Sequence, residues 1–481
     1  MREKPVFLDA YSLSPCKHRY NEALKQTVWV PLFLISRLAY LGAIYVPVAL
    51  TLPLWFLYPS SSWWPRFLVA TVEMSGPAFT KLGQWASSRI DMFPSILCIY
   101  LSKLQSNAEP HSFEYTRAKL EKAFGMHLNE IFLEFDQTPI GVGAIAQVYR
   151  AKLASTITQD ELITEKPKGL IQDTLNYMAN IISGFDVTRS PFKLIRQIEQ
   201  VVAIKILHPN AREWVELDLI IMRGVANAIE MCLPGAHWLS LPDEVIMFGK
   251  MMHEQLDMVH EAENLKKFSS NFDSWNCIGF PSPLMKLCDR DILVETFVDA
   301  VPMATFLNNG PTPFDKQIAT LGLTSFLKML LLDNHVHADL HPGNIMVSFY
   351  NKSTKSFISH SALENINKME PEEWRREMEI LSNQNYTPYL YFVDAGLVST
   401  LSPALMINII DLFGAVLKFN GTLIGSLMID RSKFPNVVVD RAGFEKTMDR
   451  FIQDIKQRTL TLKSFSVSDI LIFICTEVCV N

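Results

Sequence analysis

The chain has 481 residues, which is long enough for two or three folded units. With 49% apolar and 11% aromatic residues it can bury a large core, which excludes a wholly disordered protein. The net charge of −6 excludes an overall basic surface, so nucleic acid is not a predicted partner. The seven cysteines include no CxxC pair, which predicts reduced, mostly buried thiols rather than a disulfide framework.

An apolar segment without any charged residue extends over residues 38–65. Crossing a bilayer takes about 20 apolar residues, and this segment is long enough. Trp63 and Trp64 lie at its distal end, as in an interfacial aromatic belt. We therefore predict a transmembrane helix at 38–65 after an N-terminal tail at 1–37. A buried or surface-lying hydrophobic hairpin is the alternative.

Helical patterns follow the apolar segment. One helix is predicted to begin at Ser75, with Gly76 as N-cap and Pro77 in the first helical position. A second helix is predicted over 110–135. Together they form a predicted helical extension at 66–135.

The pattern then changes to strands. Three segments have the composition of strands, the first with a glycine turn inside it: 141–153, 201–207 and 292–297. One continuous helix is predicted over 243–268. We assign 136–298 to a sheet-containing lobe that carries a polar insertion at 154–200.

From residue 314 onward the pattern is mostly helical, with a polar insertion at 351–389. Pro371 followed by two glutamates predicts a helix start inside that insertion. The order of helices, strands around one helix, and helices again predicts an α+β protein. Its smaller lobe contains the sheet, and its larger helical lobe extends over 299–481.

Lys205 lies in a predicted strand that is apolar on both faces. Such a strand is buried, and a buried ammonium group is costly unless it is paired. The helix predicted next presents a polar stripe at helical spacing: Glu254, Asp257, Glu261 and Asn264. Lys205 is therefore predicted to meet an acidic side chain or a phosphate. A lysine at a sheet edge and a solvated helix face are the alternatives.

The sequence HADLHPGN follows at residues 337–344. Asp339 and Asn344 are separated like the catalytic aspartate and the metal-binding asparagine of the kinase catalytic loop. The prolyl-glycine pair between them predicts a tight turn that brings both side chains to one site. The alternative is a zinc site on the histidines of this region: His335, His337 and His341.

A third chemical motif begins where an apolar strand at 390–393 ends. There Asp394 precedes Ala395 and Gly396, which is the kinase position for a magnesium-binding carboxylate. This motif alone has little specificity. In order with VAIK at 202–205 and HADLHPGN, it indicates a nucleotide site.

The chain resembles the UbiB/ABC1/ADCK family of atypical kinase-like proteins over about residues 70–480. The motifs that carry the resemblance are KLGQ (81–84), GVGAIAQVY (141–149), VAIK (202–205), EAEN (261–264), HADLHPGN (337–344) and VDAG (393–396). The resemblance implies a protein-kinase-like two-lobe fold with an N-terminal helical extension whose KxGQ motif lies over the active site. It also implies ATP and Mg²⁺ as cofactors, and ATPase or small-molecule kinase activity rather than protein phosphorylation.

The resemblance assigns roles to residues by motif. Lys205 would hold the nucleotide phosphates and pair with Glu261, and Asp339 would act as the base or orient the phosphate. Asn344 and Asp394 would hold Mg²⁺. The remaining assignments are the nucleotide loop at Gly141, Gly143 and Ala144, a place near the adenine-binding hinge for Glu295, and the regulatory KxGQ and ExD residues Lys81, Gln84 and Asp257.

Three features depart from the family pattern. The usual ExD motif reads Gln255-Leu256-Asp257, so one carboxylate is missing, and Glu254 is a candidate to replace it. The nucleotide loop is rich in glycine rather than alanine, which allows closer approach to phosphates. The chain also stops at Asn481 where relatives continue, so we expect an incomplete helical lobe.

Two functions remain open from the sequence. One is an enzyme that hydrolyses ATP or transfers a phosphoryl group to a small or lipid-like acceptor. The other is a pseudokinase that binds nucleotide as a structural ligand and holds a lipid or a partner. A transporter has little support, because one apolar segment carries no charged residue. Expected partners are a nucleotide, a membrane lipid or isoprenoid-like molecule, and coenzyme Q biosynthesis proteins at a mitochondrial membrane.

Overall fold

The computed structural model describes residues 30–58, 61–87, 93–105, 110–154, 201–232, 240–432 and 435–460. Nearly all of the predicted insertion at 154–200 and the end of the chain after residue 460 lie outside the described residues. The boundaries predicted for them therefore stay predictions.

The helices, in chain order, are α1 (Val30–Leu57), α2 (Trp63–Met74), α3 (Pro77–Ser87), α4 (Ser95–Leu101), α5 (Phe113–Phe124), α6 (Leu128–Ile131), α7 (Ala211–Cys232), α8 (Leu241–Gln255), α9 (Met258–Asn271), α10 (Met303–Asn309), α11 (Asp315–Leu331), α12 (His360–Lys368), α13 (Pro371–Asn383), α14 (Pro403–Leu417), α15 (Gly421–Asp430) and α16 (Arg441–Leu460). The strands are β1 (Phe132–Phe135), β2 (Gly141–Val142), β3 (Ala146–Leu153), β4 (Val201–Leu207), β5 (Ile278–Gly279), β6 (Ile292–Thr296), β7 (Val301–Pro302), β8 (Val336–His337), β9 (Ile345–Asn351), β10 (Ser356–Phe357), β11 (Tyr386–Phe392) and β12 (Val398–Ser399). The mixture of helices and sheets agrees with the predicted α+β class.

The chain divides into two compact units, and the first is helical: it holds α1 to α4, α7, and α8 up to Gly249. In the described part of the chain, α1 is the one helix that is long and apolar enough to cross a membrane, over Leu32–Leu57. It begins before the predicted start of the spanning segment and ends before its predicted end. Tyr58 precedes a proline in the sequence, and a residue in that position is disfavoured in a helix.

Arg37 joins α1 to α7 within this first unit. Its guanidinium group donates two hydrogen bonds to the carboxylate of Asp218, at 2.8 and 2.9 Å, and a third to the carbonyl oxygen of Ser75. Asp218 is fully buried. The ion pair therefore fixes the start of the apolar helix to a helix of the same unit.

The second unit contains an antiparallel sheet in the order β1-β3-β4-β6, with β2 paired to β3. The predicted strands over 141–153, 201–207 and 292–297 are confirmed. One face of this sheet packs into a hydrophobic core, whose fully buried side chains include Tyr149, Ile204 and Ile206. The prediction of one helix over 110–135 was wrong, because Gly125 ends α5 in a left-handed conformation (φ 65°) and β1 follows.

A second sheet, in the order β10-β9-β11-β5 with β7 beside β9, has its three strands β9, β10 and β11 in the region predicted to be mostly helical. Its longest pair, β9 and β11, is antiparallel over seven residue pairs. The helices α12 and α13 fall between these strands, and α13 begins at Pro371 as predicted. The predicted polar insertion at 351–389 thus connects two paired strands, and β11 includes most of the strand predicted at 390–393.

The prediction of one continuous helix over 243–268 was also wrong. The helix α8 ends at Gln255, and Asp257 adopts an extended backbone conformation that starts α9. The Asp257 carboxylate accepts hydrogen bonds from the backbone N–H groups of Val259 (3.0 Å) and His260 (3.3 Å). This N-cap satisfies donors that a new helix leaves unpaired, so the two helices are separate.

Candidate functional site

Lys205 forms the centre of a charged cluster in the second unit. Its Nζ donates hydrogen bonds to both carboxylate oxygens of Glu261, at 2.9 Å each, and lies 3.2 Å from Oδ1 of Asp394. Glu261 is almost fully buried, whereas the Asp394 side chain is 40% exposed. The structure therefore brings together three residues that the sequence places far apart, and one of them remains accessible to a ligand.

Each member of this cluster is positioned by regular structure. Lys205 lies on β4, which is hydrogen-bonded to β3 on one side and to β6 on the other. Glu261 lies in the first turn of α9, directly after the cap formed by Asp257. Asp394 follows the end of β11. The lysine thus occupies a central strand and not the sheet edge that the sequence left open.

The cluster perturbs the proton affinity of its members. Burial disfavours the ammonium form of Lys205, but the charges of Asp394 and Glu261 outweigh it and raise the pKa of Lys205. Burial also raises the pKa of Glu261, against the opposing charge of Lys205. Lys205 therefore stays charged, and the cluster carries more acidic than basic groups.

Glu295 is the third acidic member of the cluster. It pairs with Ala203 across the β4–β6 ladder, so its side chain emerges from the same face as Lys205, as a diagonal neighbour. Burial, with a contribution from the charge of Glu261, raises the pKa of Glu295 to about 8. Among the described residues no donor reaches Oε2 of Glu295. Burial without a donor at this oxygen favours the protonated, uncharged carboxyl group.

The loop at 337–344 places Asp339 and Asn344 beside the end of β11. Nδ2 of Asn344 donates to the backbone carbonyl of Asp339 (2.9 Å), which leaves the amide oxygen as the atom suited to a cation. The backbone carbonyl of Asn344 accepts from the N–H of Val393 at 3.0 Å. Because Val393 precedes Asp394 directly, Asn344 and Asp394 lie at the same corner of the site.

The turn that carries Asp394 is tightly specified. Asp394 has a left-handed backbone (φ 64°), and its Oδ1 accepts from the N–H of Gly396 at 3.2 Å. Asn264 donates to the carbonyl of Ala395 at 3.0 Å. A Cβ at Gly396 would lie 3.3 Å from the carboxylate oxygens of Asp394 and Glu261. Sequence reasoning missed the role of Asn264, although its spacing from Glu261 on one helix face was the available signal.

The residues present fit a magnesium ion better than zinc. The amide oxygen of Asn344 and the carboxylate of Asp394 are oxygen ligands, and Mg²⁺ bound to a nucleotide needs only one or two of these beside phosphate and water. Within the described ranges no group of three or more His, Cys, Asp or Glu side chains is arranged to hold a metal. His335 packs instead against the ring of Phe268, with ring centroids 4.5 Å apart.

The glycine loop (residues 141–146) connects β2 and β3. The N–H of Gly143 donates to the carbonyl of Ala146 at 2.8 Å, which closes the turn. A Cβ added at Gly141 would meet no atom within 4 Å. The loop thus presents open space beside its backbone, next to the partly exposed Ala144.

The KLGQ motif lies on α3 in the first unit. Nε2 of Gln84 donates to the carbonyl of Leu104 at 2.8 Å, and a Cβ at Gly83 would lie 2.5 Å from the Leu104 side chain. Two of the four motif residues therefore pack α3 against its own unit. The placement of Lys81 and Gln84 over the nucleotide site, with Asp257 as a partner, stays a prediction.

Known proteins are similar to this chain over most of its length. The profile of the ABC1 atypical kinase-like domain matches residues 103–159 and 195–426. A mitochondrial ABC1 family protein of Schizosaccharomyces pombe is 39% identical over 445 residues, which cover 89% of this chain and 62% of the relative. A mitochondrial ABC1 family protein of Saccharomyces cerevisiae is 35% identical over 470 residues, which cover 92% of this chain and 67% of the relative.

A third relative is the probable serine/threonine-protein kinase abkC of Dictyostelium discoideum. It is 29% identical over 429 residues, which cover 82% of this chain and 55% of the relative. The chain thus spans little more than half the length of that protein. Since the domain profile covers more than half of the chain, and two yeast family members share over a third of the aligned residues, the chain belongs to the ABC1 family of atypical kinase-like proteins.

Proposed function

We propose that this protein binds Mg-ATP at the Lys205 cluster and uses it for ATP hydrolysis or for phosphoryl transfer to a small or lipid-like acceptor. The observation that carries the proposal is the convergence of Lys205, Glu261 and Asp394, with Asn344 at the same corner. Phosphoryl transfer depends mainly on positioning and electrostatics, and these are the residue types it uses.

The side chains can divide the work as follows. Glu261 holds the ammonium group of Lys205 in place, and Lys205 binds phosphate oxygens. Asn344 and Asp394 would hold the magnesium ion, which neutralises phosphate charge when it is bound. Asp339 accepts the proton of the attacking hydroxyl group or water, or orients the phosphate.

Charge supports a requirement for the cation. Even with Glu295 protonated, the carboxylates of Glu261 and Asp394 outnumber the one ammonium group, so a nucleotide without its metal would meet net negative charge. We therefore expect Mg-ATP, and not free ATP, to be the ligand.

The cellular setting follows from the relatives. The two yeast proteins are mitochondrial, and we place this protein in mitochondria too, with α1 as its membrane segment. The family resemblance also supports a role in coenzyme Q or lipid metabolism, with coenzyme Q biosynthesis proteins and a membrane lipid or isoprenoid-like molecule as partners. The small or lipid-like phosphoryl acceptor is proposed on the same family resemblance.

A pseudokinase is the second candidate. It is favoured by the ExD position, where Gln255 replaces an acid and Asp257 caps α9. A protein of this kind would bind nucleotide as a structural ligand without turnover. Binding and hydrolysis must therefore be measured separately.

The first test is thermal unfolding of the full chain in detergent, with and without Mg-ATP, beside the variant Asp394→Asn. A ligand at 100 times its dissociation constant stabilises the folded state by about 2.7 kcal/mol. We expect this shift for the wild type and its loss in Asp394→Asn. The matched control is Asp411→Asn, which removes a carboxylate of α14 that pairs with Arg431 at the end of α15, and it should keep the shift.

Phosphate release then separates the two candidates. Turnover that is lost in Asp394→Asn indicates an enzyme, whereas binding without turnover indicates a pseudokinase. No stabilisation of well-folded wild-type protein by Mg-ATP would contradict the proposed function.

A further inference from the structure

A chain of hydrogen-bonded side chains, fully buried at its inner end and partly exposed at the two histidines, leads from the core of the sheet lobe to the glycine loop. His208, directly after β4, contacts the loop, and His111, two residues before α5, contacts His208. From this geometry we infer that His208 and His111 are positioning residues that hold the glycine loop in the shape needed for nucleotide phosphates. The ligand in this inference, Mg-ATP, rests on the proposed function. The contacts between the histidines and the loop rest on hydrogen bonds.

His208 holds the loop at two points. Its backbone N–H donates to the carbonyl of Ile145 at 2.9 Å, and its Nε2 lies 2.9 Å from the carbonyl of Gly143. These two carbonyl groups flank the tip of the turn. Loss of the imidazole contact would leave Gly143 tied to the rest of the sheet mainly through its bond to Ala146.

The hydrogen bonds determine which ring nitrogens carry protons. A carbonyl oxygen can only accept, so Nε2 of His208 must carry a hydrogen. Neutral His208 then accepts at Nδ1, which lies 2.7 Å from Nδ1 of His111. His111 must therefore carry its hydrogen on Nδ1 and accept at Nε2, from the Thr116 hydroxyl at 2.9 Å.

The buried end of the chain sets the same direction. Oε1 of Gln147 accepts from the N–H of His111 at 3.0 Å, which orients its amide so that Nε2 donates to the Tyr149 hydroxyl. Tyr149 then donates to Thr116 at 2.9 Å. Gln147, Thr116 and Tyr149 are all fully buried. Each link thus has one direction, from the core outward to Gly143.

The neutral state of both rings agrees with their surroundings. Burial lowers the pKa of His111 to about 4, with a further contribution from His208, and burial also lowers the pKa of His208. Two protonated rings would place N–H groups against each other at 2.7 Å. The pair therefore works as a fixed relay of hydrogen bonds.

The tautomers can be measured directly. In ¹⁵N-histidine-labelled full-length protein, we expect a hydrogen on Nδ1 for His111 and on Nε2 for His208, with resonances assigned through His111→Asn and His208→Gln. A hydrogen on Nδ1 of His208, or titration of either ring near the ordinary histidine value, would overturn the inference. This measurement does not involve nucleotide.

A set of paired variants tests the effect on the loop. In His208→Gln the side-chain amide can replace the Nε2 donor, and in His111→Asn it can replace the Nδ1 donor, whereas His208→Leu and His111→Leu remove them. We expect the leucine variants to raise hydrogen exchange at residues 141–146 and to weaken the binding of a fluorescent ATP analogue with Mg²⁺, each roughly tenfold. The amide variants should stay close to the wild type.

The control is His360→Leu, which removes a histidine that contacts Asp299. Leucine variants that fold and show wild-type exchange in the loop would overturn the inference. If they fail to fold, the tautomers and the amide variants still decide it. If the wild type does not bind Mg-ATP, the proposed function fails, while hydrogen exchange and tautomers continue to test the loop contact.

Discussion

Lys205 faces three acidic side chains: Glu261, Glu295 and Asp394. One ammonium group cannot balance three carboxylates in a buried place, so at least one carboxyl group lowers the cost by holding a proton. Glu295 is the best candidate, because it has no donor at Oε2 and a pKa of about 8. A bound cation would change this balance, which couples the protonation of the cluster to ligand binding.

The protonation of Glu295 predicts how stability depends on pH. Its pKa rises from 4.5 to about 8 on folding, so the folded state binds more protons than the unfolded state between these values. Stability should therefore fall as the pH increases from about 4.5 to 8. Glu295→Gln should remove this pH dependence. The melting temperature of the variant minus that of the wild type should therefore increase from pH 4.5 to pH 8.

Melting temperatures of both proteins, recorded without nucleotide from pH 5 to pH 9 in steps of about one unit, test this prediction. The matched control is Glu134→Gln, on the exposed face of β1 in the same sheet. A constant offset between Glu295→Gln and the wild type would mean that Glu295 is ionised in the folded protein.

At the scale of elements, local sequence patterns predicted the strands of the first sheet. The second sheet was not predicted, because its strands pair across a long stretch of sequence. The strands β4 and β6 are rich in β-branched residues, and β3 follows a glycine turn, so all three have signals that are visible in the sequence. The pair β9 and β11 is interrupted by the helical insertion, and no local signal shows that they meet. The break at Asp257 was hidden because a capping aspartate also fits a polar helix face.

The same distinction between local sequence signals and distant pairing applies to the candidate site. The order of motifs indicated Lys205, Glu261, Asn344 and Asp394, and the structure places them together. The position of Glu295 in the cluster depends on the register between β4 and β6, which one sequence does not reveal. The histidine relay depends on a contact between segments 97 residues apart.

The cap at Asp257 provides a test at this scale. Asp257→Ala should cost about 1 kcal/mol of stability, because two N–H groups at the start of α9 lose their acceptor. Asp257→Asn keeps an acceptor and should recover most of that loss. Chemical denaturation measures both. If Asp257→Asn restores stability but not Mg-ATP binding or turnover, the negative charge of Asp257 is needed for nucleotide binding or turnover, as the predicted ExD role requires.

At the scale of the whole molecule, the first unit carries the apolar helix and the second carries the charged cluster. The ion pair between Arg37 and Asp218 makes α1 part of the first unit's own structure, and not only a tether. Most of the surface of α1 beyond this contact is exposed and apolar. Such a surface is suited to lipid.

A charge in the middle of α1 tests whether it spans a membrane. Val46 is 54% exposed, so Val46→Lys should cost little in folding but about 3 kcal/mol in a bilayer centre. We expect this variant to leave the membrane fraction on alkaline extraction, while the wild type stays. The control is Val439→Lys at a valine that is 89% exposed outside α1. Retention of Val46→Lys would favour a helix that lies on the membrane surface.

The left-handed backbone of Asp394 bears on how relatives of this protein should be compared. With φ at 64°, the position accepts glycine, asparagine and aspartate readily, and other residues at a cost of roughly 1 to 2 kcal/mol. In a lineage that abandoned catalysis, folding alone would still favour these three residues, although Lys355 and Phe419 show that the chain tolerates others at positive φ. An aspartate at this position is therefore weak support for a catalytic role. An asparagine or a glycine would instead indicate that the function was lost while the fold was kept.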